Sequence, residues 1–316
     1  MGSFNFISLW VFQDLLIYAI GFATLVFILR HEERPQSIIA ELIAFCFFNA
    51  AVFENFATLM GWYGYGRSLI MVFNVSLSVP LVEWLVIYTT LRLLAGRKMP
   101  TWSKPLVVGF SGMLFDFTLD PLAIRQVFQT AEGRIGRWSW YPGTADVQLG
   151  GEPVYNFTGW ILLCGYFTAT ILAGRYWHRL SGWNGAIGLA YPFAAAIAAL
   201  AILVSPISNF LLWLGPFMAK GSAGEWIMLV VLGALGLFVL LAFGRGRRSE
   251  SVPPVFEFPA LLVLAGLPLF NLLLCVLEGY TEALPLVAPA AIAEAGLVAA
   301  WFFQEKAAVA KGKLAP

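Results

Sequence analysis

Residues 224–243 read GEWIMLVVLGALGLFVLLAF, a run in which Glu225 is the one ionisable side chain. A helix of about 20 consecutive apolar residues crosses the hydrocarbon core of a bilayer, and this stretch has that length and purity. Eight further runs of the same kind lie near 7–29, 38–60, 69–95, 105–120, 153–177, 185–205, 258–280 and 284–303. The run at 7–29 has no basic leading segment and no small-residue cleavage site, and it carries Asp14. It therefore reads as a retained span rather than a signal peptide. The stretch 206–218 is apolar but short, with Pro206, Asn209 and Pro216 inside it. It reads as an extension of the sixth span or as a re-entrant or interfacial piece.

Composition agrees with this reading. Of 316 residues, 60% are hydrophobic and 12% charged, with mean hydropathy +0.80. Soluble domains carry about a quarter charged residues, and a single core cannot hide such an apolar excess from water. The expectation is an all-α polytopic transmembrane helix bundle of about nine spans, with eight or ten if span six or 206–218 divides differently. It forms a single transmembrane domain over 1–305, with an interfacial segment over 121–152 that opens in a short helix at Pro121. Residues 306–316 read as a soluble, cytoplasmic tail. The loops after spans one, three, five and seven with their flanking helix ends, plus the tail, hold 14 of the 19 lysines and arginines. By the positive-inside rule this puts the N-terminus outside and the C-terminus in the cytoplasm, and for a prokaryote the membrane is the cytoplasmic one.

Several function classes fall away. A net charge of +1 gives no field for nucleic acid. Cys46, Cys164 and Cys275 lie far apart inside apolar runs and read as small buried side chains rather than a disulfide framework. His31 and His178 stand beside arginines at helix ends, so a histidine-rich iron or zinc site is not expected. The glycine cluster Gly61-Trp62-Tyr63-Gly64-Tyr65-Gly66 lacks the spacing and the strand–helix setting of a nucleotide loop. No metal and no cofactor is expected.

Acids lie where lipid should be. Asp14, Glu41, Glu54, Glu83, Asp116, Asp120 and Glu294 fall within the predicted spans, and almost no lysine or arginine lies at their depth. Each such residue costs roughly 2.5–3.5 kcal/mol on insertion scales, so each needs a reason. Glu41 lies near a span end and reads as reaching water, and Glu294 reads equally well as a buried structural contact. Asp116 and Asp120 are four apart and project from one helix face, where their mutual repulsion favours sharing a proton. Asn49 and Asn55, Asn74 with Ser76, and Asn156 lie at the same level on spans two, three and five. By default membrane asparagines are interhelical hydrogen bonds and membrane aromatics are packing. A neutral carboxylic acid in an apolar site can donate a proton to an alkene, and aromatic faces can stabilise the cation that forms.

The central region resembles a known family. The residues are Phe115-Asp116-Phe117-Thr118-Leu119-Asp120-Pro121, then Trp138-Ser139-Trp140, then Gly151-Glu152-Pro153-Val154-Tyr155-Asn156-Phe157-Thr158-Gly159-Trp160. In order and position they resemble the membrane-embedded carotenoid biosynthesis proteins, whose members include carotenoid 1,2-hydratases of the bisanhydrobacterioruberin and γ-carotene type. The resemblance covers 116–160; elsewhere hydropathy is the main similarity. It implies a cofactor-independent carbon–oxygen lyase that adds water to the terminal C1–C2 double bond of an acyclic carotenoid. It implies a long-chain carotenoid substrate in membrane lipid, and other enzymes of the same pathway as partners. Asp116 or Asp120 would donate the proton, with Glu54 and then Glu83 as further acids. Asn156, Trp138, Trp140 and Trp160 would bind substrate, while Gly159 and Pro153 read as packing and helix-start residues. The stretch between Trp140 and Gly151 is longer than the family's, with Asp146 added. A cyclase using the same acid without water, and a non-enzymatic carotenoid or lipid transporter or binding scaffold, are the rival readings.

Overall fold

A computed structural model describes residues 9–95, 97–130, 133–141, 143, 146–244 and 257–310. Among them, nine helices are long and apolar enough to cross a membrane. In chain order they are α1 (Leu9–His31), α2 (Pro35–Leu59), α3 (Ser78–Ala95), α4 (Thr101–Ala123) and α5 (Val154–Leu180), then α6 (Gly185–Leu203), α8 (Ala223–Phe243), α9 (Phe258–Leu277) and α10 (Leu284–Ala310). A short helix, α7 (Pro206–Trp213), stands between α6 and α8 and is too short to cross. The chain is an all-α, multi-pass membrane bundle. The 206–218 stretch is thus a separate short helix: Ser205 caps it by accepting from the Ile207 N–H, and Leu214 ends it at φ 58.

Three features differ from the sequence reading. The third span begins at Ser78, because residues 71–76 form a hairpin of β2 (Met71–Val72) and β3 (Val75–Ser76). Asn74 lies in its turn beside Phe73 at φ 55, and Asn55 holds that turn by accepting from the Asn74 N–H and donating to the Val72 carbonyl. Asn74 is therefore outside the span that was expected to carry it. The short helix expected at Pro121 is also absent. Pro121 sits in the last turn of α4, where a missing N–H disturbs little, and the chain then turns into strands. These are β4 (Val127–Thr130) with β5 (Gly133–Gly136), β6 (Trp138–Trp140), and β7 (Gln148–Leu149) with β8 (Glu152–Pro153). At the other end of the chain α10 runs on to Ala310, into the segment read as a tail; residues 311–316 lie outside the described residues.

Helix α4 is the axis of the bundle, packing on α3, α5, α8, α9 and α10. Its glycines allow the closest approach. A Cβ at Gly109 would come within 2.5 Å of the Ile161 carbonyl, and one at Gly112 within 2.6 Å of Cys164 Sγ. Positions 109, 112, 116 and 120 share one face, so the contact that seats α4 on α5 also aims Asp116 and Asp120 at that helix.

The loops at that end fold inward over the bundle. β1 (Tyr63–Tyr65) pairs antiparallel with β6, in the register Tyr63↔Trp140, Gly64↔Ser139 and Tyr65↔Trp138. Alternate strand residues point to one side, so Tyr-Gly-Tyr and Trp-Ser-Trp turn four aromatic rings to the same face. Their centroids lie 4.7 Å apart for Tyr63 and Trp140, and 5.4 Å for Tyr65 and Trp138.

Two acids read from sequence as unpaired or solvated have cationic partners. Asp14 is bound by Arg137, 2.8 Å away, which reaches it from the loop after β5, and it also accepts from Ser78 and Ser68. Glu41 is buried rather than reaching water. It takes both Arg175 nitrogens, at 2.8 and 2.6 Å, and the Tyr191 hydroxyl. At the opposite end of the bundle Arg92 bridges Glu32 and Glu257. The tertiary fold supplied these cations from distant positions, which hydropathy could not foresee. Cys46, Cys164 and Cys275 are free thiols.

Candidate active site

A cavity of about 350 Å³ opens at the loop-rich end, between α2, α3, α5, α7 and the β1–β6 ribbon. Its walls are mostly aromatic: Tyr63, Trp138 and Trp140 from the ribbon, Tyr155 and Trp160 from α5, and Trp213 from α7. Polar groups interrupt them: Glu54 from α2, Glu83 from α3, Asn156 from the first turn of α5 and Asn209 from α7. Lys220 stands at the rim, 4.3 Å over the Tyr155 ring and 3.8 Å from Asp146. Through Lys220, Asp146 thus stands next to the cavity rim.

Glu54 and Glu83 are held differently. One oxygen of Glu54, Oε2, accepts from two phenols, Tyr65 at 2.6 Å and Tyr63 at 2.9 Å. Burial and the neighbouring Glu54 carboxylate push both phenols well above the usual tyrosine range, so they stay protonated and remain donors. Two O–H donors on one oxygen suit the ionised form. Glu83 has a single amide donor, Asn49 Nδ2, and otherwise faces the cavity. The backbone of α2 helps aim Glu54 and the amide that holds Glu83. Asn49 and Glu54 lie in a π-helical stretch of α2 (Phe47–Glu54), whose wider turn departs from the ordinary helical spacing.

Behind Asn156 lies a second layer of acid. Its Nδ2 donates to Asp120 at 2.9 Å, Glu152 at 3.0 Å and Asp116 at 3.2 Å. The three carboxyls therefore converge on one amide nitrogen. Like charges gathered this closely in a low dielectric favour sharing protons over full ionisation. All three are fully buried, and burial with the Asp120 charge raises Glu152 well above the usual glutamate range. Their outer oxygens, Asp116 Oδ1, Asp120 Oδ1 and Glu152 Oε1, have no partner among the described residues.

Local chemistry explains how Glu152 gets there. Gly150 and Gly151 take φ of 65° and 98°, which glycine accepts readily, and a Cβ at Gly151 would meet Ile124 Cδ1 at 2.8 Å. The tight turn folds β8 back so that Glu152 points inward, one helical turn ahead of Asn156. Arg125 fastens the turn to α4 by donating to the Pro121 and Gly150 carbonyls, each at 2.7 Å.

The structure thus gathers all eight residues singled out in the sequence, but in two layers. Glu54, Glu83, Asn156, Trp138, Trp140 and Trp160 line the cavity, whereas Asp116 and Asp120 do not and reach it across Asn156. Gly159 lines the cavity rather than packing, since a Cβ there meets nothing within 4 Å. Sequence reasoning passed over Glu152, Tyr63 and Tyr65, whereas Asn49, read as an interhelical hydrogen bond, makes one to Glu83. The signal for the tyrosines was the period-two pattern shared by Tyr63-Gly64-Tyr65 and Trp138-Ser139-Trp140. Among the described residues no three His, Cys, Asp or Glu side chains are placed to share a metal ion. Compared with family models, with curated proteins and with solved structures, the chain matches none.

Proposed function

We propose that the chain is a carotenoid hydratase, adding water without a cofactor to the terminal C1–C2 double bond of an acyclic carotenoid. The observation that carries this reading is an aromatic-walled cavity in a membrane bundle with two differently held glutamates, Glu54 and Glu83, at its base. Its volume suits one end group, with the polyene leaving through the mouth beside α7. The sequence resemblance over 116–160 supplies the substrate class. The basic-residue asymmetry supports a loop-rich end outside and a cytoplasmic C-terminus.

In this mechanism Glu83 gives its proton to C2 of the terminal double bond, forming a C–H bond and leaving positive charge on the tertiary C1. The rings of Trp138, Trp140 and Trp160 stabilise that charge through their faces. Water adds to C1, and the proton it sheds passes to the Glu54 carboxylate, which the two phenols hold ready as a base. Return of that proton to Glu83 closes the cycle with one water consumed. Asp116, Asp120 and Glu152 form a proton store coupled to the cavity through Asn156. This replaces the simpler expectation of direct donation by the aspartate pair.

Expression in a lycopene-producing host with mass analysis of the pigments tests the proposal. A product heavier by one water per reacted end supports it. A new pigment of unchanged mass identifies a cyclase, and pigment that co-purifies unaltered identifies a binding scaffold or transporter.

A further inference from the structure

A second cavity, of about 290 Å³, lies at the opposite end of the bundle and shares no lining residue with the first. Helices α3, α4, α8, α9 and α10 build it. Both α8 and α10 pack on α4, and the cleft between them carries Leu241 on one side and Leu297 on the other. Both leucines are among the exposed apolar side chains, so this mouth faces lipid.

The deep end is polar. Thr90 Oγ1 donates to Ser111 Oγ at 3.2 Å, and Ser111 Oγ donates to Glu294 Oε1 at 3.3 Å. The other oxygen, Glu294 Oε2, has no partner among the described residues, although Glu294 is 2% exposed and lines the cavity. A glutamate kept for structure looks otherwise in this molecule: Glu41 engages both oxygens with Arg175 and a third donor besides. An acid at mid-span with one oxygen unmet, at the end of an apolar cavity open to lipid, is built for a ligand.

We propose that this cavity binds a long-chain alcohol drawn from the bilayer, its hydroxyl on Glu294 Oε2 and its chain along the cleft between α8 and α10. A hydroxyl can donate to the carboxylate or accept from the neutral acid, so it satisfies Glu294 in either state. Arg97 lines the same cavity and disfavours a cationic head, while Glu294 disfavours an anionic one. The site stands apart from the hydration chemistry, and its existence does not depend on that reading.

The test uses the purified full chain in lipid nanodiscs and a photoreactive long-chain primary alcohol carrying a diazirine in its chain. Peptide mapping is expected to place the label on α8 and α10 near Leu241, Leu297 and Val298. Unlabelled alcohol displaces it, and the alkane or the primary amine of equal length does not. Glu294→Ala is expected to lower labelling about tenfold. Leu241→Trp, a change at an exposed position, is expected to block the mouth and lower labelling similarly, and it keeps the test decisive should Glu294→Ala fold poorly. Equal competition by the alkane, better competition by the amine, or labelling unchanged in the Trp variant overturns the proposal.

Discussion

The two phenols on Glu54 allow a graded test of the mechanism. Tyr65 lies at 2.6 Å from Glu54 Oε2 and Tyr63 at 2.9 Å. The shorter distance falls in the range of charge-assisted O–H···O⁻ bonds, about 2.5–2.7 Å, and the longer one does not. Bonds to charged groups contribute roughly 1.5–3 kcal/mol and ordinary ones roughly 0.5–1.5. At about 1.36 kcal/mol per decade, Tyr65→Phe should slow hydration by roughly 13- to 160-fold and Tyr63→Phe by roughly 2- to 13-fold. Because both donors serve one oxygen, the double variant should not lose the product of the two factors. The assay is the initial rate of hydrated carotenoid formation in isolated membranes, normalised to protein level. Should Tyr63→Phe lose more than Tyr65→Phe, or both retain the full rate at equal protein level, Glu54 is not a phenol-stabilised base.

Other outcomes follow from the same geometry. Gly159→Leu should fill the cavity mouth-side of Trp160 and abolish turnover while leaving thermal stability in detergent intact, because nothing stands within 4 Å of the added Cβ and α5 loses a glycine. A clear drop in stability would show that Gly159 packs after all. Arg137→Met strands buried Asp14 and should cost about 3–5 kcal/mol of stability, with Asp14→Asn added in the same chain restoring part of it; no recovery in the double variant contradicts the pairing. Glu152 keeps its proton to higher pH in the folded chain than in the unfolded one, so stability should fall as pH rises above the ordinary glutamate value of about 4.3. Glu152→Gln should flatten that decline in melting temperature, and an unchanged slope would place the proton elsewhere.

The residues that sequence reasoning found and those it missed divide by range of interaction. Apolar runs name the spans because length and hydropathy are local properties, and nine crossing helices are what the described residues contain. Asp116 and Asp120 are legible together because four residues make one helical turn. Glu152 was not, since nothing in a Gly-Glu-Pro tripeptide says that its turn folds into the bundle. Nor could hydropathy pair Glu41 with Arg175 or Asp14 with Arg137, partners more than a hundred residues apart.

By itself, then, the sequence determined a membrane-spanning all-helical chain with scarce acids at one level and a motif-bearing segment over 116–160. The tertiary structure decided which acids are neutralised, which face a cavity and which stand behind it. Those properties depend on which side chains meet across helices, and the close glycine contacts of α4 and the inward fold of the β1–β6 ribbon set those meetings. It also decided that Glu294, a lone acid in the sequence, ends a separate apolar cavity with one oxygen unmet.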